Sequence, residues 1–159
     1  KYSIYEGGTR TPFITRWKGT IEPSVSESLV FTIDLYASLA KLTGTEIVEE
    51  GALDSIAVTG ALLGEEGAKG RSDFVQQDNG SRGNFGYVSG DWKLLLHAKG
   101  QGRNLVVEKS LENSEVPKYQ LFNLADDPSE KNNVIESNPK VAEQMKSSLQ
   151  SIIDAGRSR

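Results

Sequence analysis

The chain contains no cysteine, one histidine and one methionine among its 159 residues. A cysteine nucleophile is therefore excluded, although the absence of cysteine does not identify a redox compartment. No apolar run approaches the roughly 20 residues that are needed to cross a bilayer, so we expect no membrane partner. The formal charge of −4, without clustered Lys and Arg, argues against nucleic-acid binding, because phosphate neutralisation requires a basic surface.

The length and the ordinary globular composition predict one or two compact units with self-sufficient cores. From residue 12 to residue 70 the pattern predicts a βα unit at the edge of a larger sheet. Its strand is Phe13–Trp17, and its helix carries Leu35, Leu39 and Leu42 at helical spacing and stops at Gly44. A short apolar helix is expected around Ile56–Leu63.

After Ser72, short strand-like runs separated by turn residues predict an antiparallel meander. A final helix opens at Asn138-Pro139, and its apolar stripe is expected to cover one face of the sheet. The fold class is therefore α/β, with α+β character in the C-terminal part and about four sheet strands. The expected strands are Asp73–Gln76, Gly86–Ser89, Trp92–His97, Leu105–Glu108 and Tyr119–Leu124, and the stripe is Val141, Met145, Leu149 and Ile152.

The first twelve residues, KYSIYEGGTRTP, carry the clearest chemical signal. The Gly7-Gly8 pair permits a positive φ or a close backbone approach that a Cβ would forbid. Lys1, Glu6 and Arg10 place charges on or beside this loop, where a rigid scaffold commonly presents groups to a ligand. Glu6 and Arg10 can serve as an acid or an anion clamp, but they can equally hold the loop itself, and we favour that structural interpretation.

The pattern Lys-x-x-x-Tyr-Glu-Gly-Gly-x-Arg-x-Pro resembles a segment late in the catalytic domain of sulfatases, the arylsulfatase-like branch of the alkaline phosphatase superfamily. Further stretches are similar to the family in the same order, so the resemblance covers nearly the whole chain. These stretches are Thr32–Gly44, Leu53–Gly64, Tyr87–Leu94 and Leu121–Glu130.

The resemblance implies that residues 1–70 end an alkaline phosphatase-like catalytic domain and that 71–159 form the C-terminal subdomain. It also implies hydrolysis of a sulfate ester by an intact enzyme that uses formylglycine and calcium. Lys1 matches the family lysine that binds the sulfate, where an ammonium stabilises charge on the leaving oxygen. Arg10 is a further candidate for substrate binding.

The family's Cys/Ser-x-Pro/Ala-x-Arg nucleophile motif does not occur in this sequence, which also begins without methionine. We therefore expect a C-terminal piece of a longer enzyme, inactive alone, with no metal ligand and no bound cofactor of its own. Its expected partners are the remainder of the catalytic domain and, in the intact enzyme, a sulfated small molecule or glycan. The family further implies a periplasmic or secreted location.

Two other functions remain open at this point. One is a phosphonate or phosphate monoester hydrolase of the same superfamily, and the other is a non-enzymatic ligand- or protein-binding module. His97 is interpreted as a partly exposed structural histidine, because no nucleophile elbow or metal-ligand spacing accompanies it. The aromatic residues Trp17, Trp92 and Tyr119 are expected in the core. Asp126, Asp127 and Glu130 lack the ligand pattern of an EF-hand and predict a turn.

Overall fold

The computed structural model describes residues 3–48, 51–78, 83–98 and 116–158. The chain divides into two compact units. The sheet unit comprises the described parts of Lys1–Thr11 and Asp73–Asp154, and the helical unit comprises those of Pro12–Ser72 and Ala155–Arg159. The division after Ser72 lies near the predicted boundary between 70 and 71, but the residues before Pro12 belong to the sheet unit. The assignment of 1–70 and 71–159 as two family domains stays a prediction.

The sheet unit contains a four-stranded antiparallel meander in the order β1-β2-β3-β4. This arrangement confirms the meander expected from short strand-like runs separated by turn residues, with strand ends within one residue of the expected ones. The predicted strand Leu105–Glu108 lies outside the described residues. The strands are β1 Asp73–Gln77, β2 Phe85–Ser89, β3 Trp92–Leu96 and β4 Tyr119–Asn123.

Helix α4, Pro139–Ala155, covers one face of this sheet as predicted. Leu94 and Leu121 face each other in the register of β3 and β4, and both belong to one buried cluster with Met145 and Leu149 of the helix. All four side chains are buried, so this layer forms the main core. None of the described helices, including α4, has the length and apolar character required to span a membrane.

Trp92 and Tyr119 also pack against this core, which confirms their predicted role. Trp17 does not share it, because its side chain is exposed in the helical unit. The difference has a simple cause: Trp92 and Tyr119 lie in paired strands beneath α4, whereas Trp17 lies in a segment that pairs with no strand in the described part of the chain.

The helical unit is built from α2, Asp34–Thr43, and α3, Thr59–Leu63, each of which is followed by a glycine. The predicted stop of the first helix at Gly44 is confirmed. Gly44 and Gly64 have φ of 67° and 72°, the left-handed conformation that closes a helix without steric cost in glycine. The two helices are joined by buried hydroxyls. Ser55 donates to the carbonyl oxygen of Ile33 at 2.7 Å, and Ser38 accepts the N–H of Val58 at 2.9 Å.

The predicted strand Phe13–Trp17 is wrong, because the structure has no regular secondary structure there. A strand requires a neighbour to pair its backbone groups. In the described residues this segment has no paired strand, and its fixed points include a side-chain bond from Thr15 to the carbonyl oxygen of Leu62. The expected βα unit is therefore reduced to its helix.

Candidate functional site

The segment that carries the Glu-Gly-Gly-x-Arg pattern lies on the sheet face opposite α4. Ile4 is buried there against Leu95 and Phe122, and the ring of Tyr5 meets Phe122 edge-on with centroids 6.3 Å apart. Gln76 of β1 donates its amide N–H to the carbonyl oxygen of Ile4 at 2.9 Å. Ile4 and Tyr5 are thus attached to the sheet by apolar packing and by a hydrogen bond from the Gln76 side chain to the backbone.

The glycine pair lies in α1, the single turn Glu6–Thr9. Gly8 donates its N–H to the carbonyl oxygen of Tyr5 at 2.8 Å. A Cβ at Gly8 would collide with the backbone carbonyl of Ser3, whereas a Cβ at Gly7 would meet no atom within 4 Å. Of the two explanations for this pair, close backbone approach applies at Gly8, and positive φ applies at neither residue.

Gly8→Ala is therefore expected to lower the free energy of unfolding by about 1–3 kcal/mol, the usual cost of forcing a methyl group into filled space. Gly7→Ala is the matched control and should leave stability unchanged or slightly raised, since its site is open. Urea denaturation of the two variants measures the difference. Equal stabilities would show that the approach of Ser3 to Gly8 is unimportant.

Lys93 anchors this segment from the middle of β3. Its side chain is fully buried, and its Nζ donates to Oε1 of Glu6 at 2.7 Å and lies 3.0 Å from Oε1 of Glu130. Oε2 of Glu130 in turn accepts the backbone N–H of Glu6. We call Glu6, Lys93 and Glu130 the Lys93 cluster. It joins the α1 turn, the central sheet and the loop after β4, so Glu6 holds the local structure, in agreement with the favoured interpretation.

Glu130 is held in an unusual conformation to make these contacts. Its φ of 53° lies in the left-handed region, which is costly for a residue with a Cβ. Among the described residues, Glu130 is the one non-glycine residue with a positive φ. Burial raises the pKa of the Glu130 carboxyl, although the nearby Lys93 ammonium acts in the opposite direction. The contact with Lys93 has the distance of an ion pair without the alignment of a good hydrogen bond.

The two predicted site residues have different outcomes. Lys1 lies outside the described residues. Arg10 follows α1, and its side chain is 69% exposed, with its guanidinium 3.9 Å from Oε2 of Glu6. Such a loose, exposed pair contributes little to stability. The Arg10 guanidinium is therefore accessible to an anion, and its role in substrate binding stays a prediction.

His97 is fully buried, which corrects the prediction of a partly exposed histidine. His97 comes directly after β3. Alternate residues of a strand face the same side, so His97 lies on the same face of the sheet as Lys93 and Leu95, which contact the α1 segment. Its Nε2 lies 3.0 Å from Oε1 of Gln120, which also accepts the Tyr5 hydroxyl at 2.5 Å. Nδ1 has no hydrogen-bond partner among the described residues. Burial lowers the pKa of His97, against smaller opposite effects of Gln120 and Asp78.

This lowered pKa predicts a pH-dependent stability. The unfolded chain takes up the proton near the ordinary pKa of about 6.5, but the folded chain resists it, so stability is full above that value and falls as the pH drops below it. We expect the wild-type free energy of unfolding to fall more steeply than that of His97→Gln, by no more than about 1.4 kcal/mol per pH unit. Denaturation at pH 5 to 8 provides the measurement, and parallel curves would contradict this role for His97.

Four carboxylates of the described residues are held by partners within the protein. Glu6 and Glu130 pair with Lys93, and Asp34 pairs with Arg71. Asp127 accepts the backbone N–H of Asn132 at 2.7 Å in a turn, as the sequence predicts. Among the described residues no group of three or more acidic or histidine side chains could hold a metal ion. These residues therefore do not fit the calcium that the resemblance implies.

Sequence reasoning missed Lys93 and Glu130 as anchors of the α1 segment. The available signal was the position of Lys93 inside the apolar run Trp92–Leu96, where a buried lysine requires a carboxylate partner. The partners themselves could not be predicted from the sequence, because Glu6 and Glu130 lie 87 and 37 positions away from Lys93 in the chain.

Comparison with known proteins gives a consistent set of relatives. The chain is 36% identical over 152 residues to an N-acetylgalactosamine-6-O-sulfatase of Bacteroides thetaiotaomicron, covering 96% of this chain and 29% of the relative. It is 28% identical over 149 residues to the arylsulfatase A of Bos taurus, covering 89% of this chain and 29% of the relative. The chain thus spans less than a third of these curated relatives. No family model matches it.

A solved structure from work on the metabolism of multiple glycosaminoglycans by Bacteroides thetaiotaomicron superposes with a TM-score of 0.79 and 34% identity. The superposition covers 96% of this chain and 31% of that protein. The likeness therefore extends over both units, as did the order of the sequence patterns.

Proposed function

Because this chain belongs to the sulfatase family, we propose that it forms the C-terminal part of an enzyme that hydrolyses sulfate esters. The observation that carries the proposal is 36% identity along 96% of the chain. Residues 1–70 would end an alkaline phosphatase-like catalytic domain, and 71–159 would form its C-terminal subdomain. The sheet covered by α4 supports a structural subdomain over an independent binding module.

The chain's own contribution to the active site would be the positively charged side chains of its first ten residues, carried by the anchored α1 segment. The Lys93 cluster holds Glu6 on the sheet, and the following turn leads to the exposed guanidinium of Arg10. By family resemblance Lys1 would contact the sulfate and stabilise negative charge as it develops on the leaving oxygen. Arg10 would supply a second positive charge for the anionic substrate. The anchoring of Ile4, Tyr5 and Glu6 on the sheet supports the role of Arg10, since a placed cation stabilises a transition state better than a mobile one.

The groups that start the reaction would come from other sequence. Formylglycine supplies a nucleophile in this family and calcium holds sulfate oxygens, but this sequence lacks the nucleophile motif, and the carboxylates of Glu6, Asp34 and Glu130 pair with basic side chains of the chain itself. We expect the 159-residue chain alone to be inactive. The name of the relative with 36% identity, an N-acetylgalactosamine-6-O-sulfatase, favours a sulfated glycan as substrate, and the family favours a periplasmic or secreted location.

The proposal is tested by comparing the purified 159-residue chain with the longer product of the same gene. Both are assayed with an aryl sulfate and with a 6-O-sulfated N-acetylgalactosamine. We expect turnover by the longer product only, and a lower kcat when Lys1→Ala is introduced into it. Turnover by the 159-residue chain, free of longer protein, would contradict its expected inactivity.

Two other results would redirect the assignment. Preferential hydrolysis of a phosphate or phosphonate monoester by the longer product would favour the rival hydrolase of the same superfamily. A longer product that hydrolyses none of these esters would favour a non-enzymatic binding module.

A further inference from the structure

Glu130 combines an unfavourable backbone conformation with a buried carboxylate. The other positive φ values of the described backbone belong to glycines, which adopt this conformation without steric cost. Glu130 closes a turn in which its N–H donates to the carbonyl oxygen of Asp127 at 3.1 Å. A glycine would serve such a turn better, so the glutamate side chain has a role that the turn itself does not require.

That role is at the start of α1. Tyr5, the residue before this single turn, makes no side-chain capping bond. Instead Oε2 of Glu130 accepts the backbone N–H of Glu6 from 124 positions away. The Glu130 side chain is 3% exposed, and its other oxygen lies 3.0 Å from the Lys93 ammonium. Glu130 therefore caps α1 from a distant loop, where a helix start ordinarily uses a residue of its own segment.

The same turn sets the position of Arg10. Arg10 donates its backbone N–H to the carbonyl oxygen of Glu6 at 2.9 Å, so the peptide groups of Glu6 link Glu130 on one side to Arg10 on the other. The Glu6 carboxylate is held by Lys93 at 2.7 Å and lies 3.9 Å from the Arg10 guanidinium. The place of Arg10 thus depends on where Glu6 is held, and Glu130 is one of the two residues that hold it.

We propose that Glu130 is a positioning residue for sulfate-ester hydrolysis: it fixes the α1 turn at the place from which Arg10 binds the anionic substrate. The inference rests on the proposed function for the role of Arg10. Glu130 does not itself contact the substrate, because its buried carboxylate is occupied by Glu6 and Lys93. Its effect on the reaction passes through the hydrogen bonds of the α1 turn.

The first test is Glu130→Gly in the longer gene product, which removes the carboxylate and also the backbone cost. We expect kcat/KM for a 6-O-sulfated N-acetylgalactosamine to fall about ten- to a hundredfold, mainly through a higher KM, because a displaced cation binds the substrate less well. Glu130→Gln keeps the length and an oxygen for the Glu6 N–H, so it should retain most of the activity. A residue that served only the turn would give the reverse order, with Glu130→Gly at least as active as the wild type.

Two further variants complete this test. Glu136→Gly, at an exposed position before α4, is the matched control and should leave KM unchanged. Glu130→Asp replaces Glu130→Gly if the latter does not fold, because aspartate tolerates the left-handed backbone but is one methylene too short to keep the same contacts. It should raise KM in the same direction, and an unchanged KM would contradict the proposal.

A double-mutant cycle with Arg10→Gln shows whether Glu130 acts through Arg10. In the Arg10→Gln background, Glu130→Gly should change kcat/KM by less than about twofold, because the group that it positions is already absent. Losses that multiply in full would show that Glu130 affects the reaction by another route, and the proposal would be wrong.

Hydrogen exchange in the longer product separates this inference from the proposed function. The amides of Glu6 and Arg10 should exchange at least about tenfold faster in Glu130→Gly than in the wild type, with the amides of β2 as the internal reference. A longer product that hydrolyses none of the esters would refute the assigned reaction, whereas faster exchange would still support the placement of Arg10 by Glu130. An active sulfatase in which Glu130→Gly changes neither exchange nor KM would overturn the inference and leave the reaction intact.

Discussion

Lys93→Met is expected to lower the free energy of unfolding by about 3–5 kcal/mol, the range found when one partner of a buried ion pair is removed. The substitution keeps the length and apolar stem of the side chain, so packing in β3 is largely preserved. It leaves the carboxylates of Glu6 and Glu130 close together in a site where Glu130 is 3% exposed and Glu6 is 14% exposed. Two uncompensated carboxylates in such surroundings repel each other and lose solvation.

The measurement is denaturant unfolding followed by the fluorescence of Trp92, with Trp17→Phe as the common background. Lys140→Met, at an exposed position of α4, is the matched control and should change stability little. The triple variant Lys93→Met/Glu6→Gln/Glu130→Gln should recover part of the loss, because it removes the uncompensated charges. A loss no larger than that of the control would show that the Lys93 cluster does not stabilise the sheet unit.

The sheet unit was largely predictable from sequence because its signals are local. The strand-like runs of β2 and β3, the turn around Gly90 and the apolar spacing of α4 each act within a few residues. Their agreement fixes the meander and the face that α4 covers. The opposite face was not predictable, because Lys93 and His97 find partners in Glu6, Glu130 and Gln120 through contacts distant in sequence.

The helical unit was predicted less well, and the reason is physical. Sequence patterns assign large apolar side chains to a core. On that basis Phe13 and Ile14 predict a strand, and Leu39 predicts a buried helix face. In this structure these residues are exposed, with Ile14 at 88%. The pattern encodes burial, but the surface that would provide it is not formed by the described residues of this unit. The family assignment was accessible nonetheless, because it depends on the order of motifs rather than on burial.

Asp34→Ala is expected to be the second large loss, about 3–5 kcal/mol, because it leaves a buried guanidinium without its carboxylate and two backbone donors without their acceptor. The Asp34 carboxylate is fully buried and accepts two bonds from Arg71, each of 2.7 Å. It also accepts the backbone N–H groups of Phe31 and Ile56, each at 3.1 Å. The side chain of Asp34, at the start of α2, thus connects three other parts of the helical unit: Phe31 before the helix, Ile56 in the connection to α3, and Arg71 after α3.

Unfolding of the helical unit can be followed separately, because Trp17 belongs to it and Trp92 belongs to the sheet unit. In a Trp92→Phe background, Asp34→Ala should shift the Trp17 transition, whereas Glu143→Ala should not, since Glu143 forms only an exposed 3.9 Å pair with Lys146.

The sharper test is Asp34→Ala/Arg71→Met, because the two single losses should not add. Arg71→Met alone leaves a buried carboxylate that keeps two backbone donors, and Asp34→Ala alone leaves a guanidinium that still donates to the carbonyl oxygen of Asp54. Removing both charges eliminates the unpaired partner in each case, so the double variant should be more stable than the sum of the single losses predicts, by about 1–3 kcal/mol. Strict additivity would mean that the two residues stabilise the unit independently, and the assignment of Asp34 and Arg71 as one buried pair would be wrong.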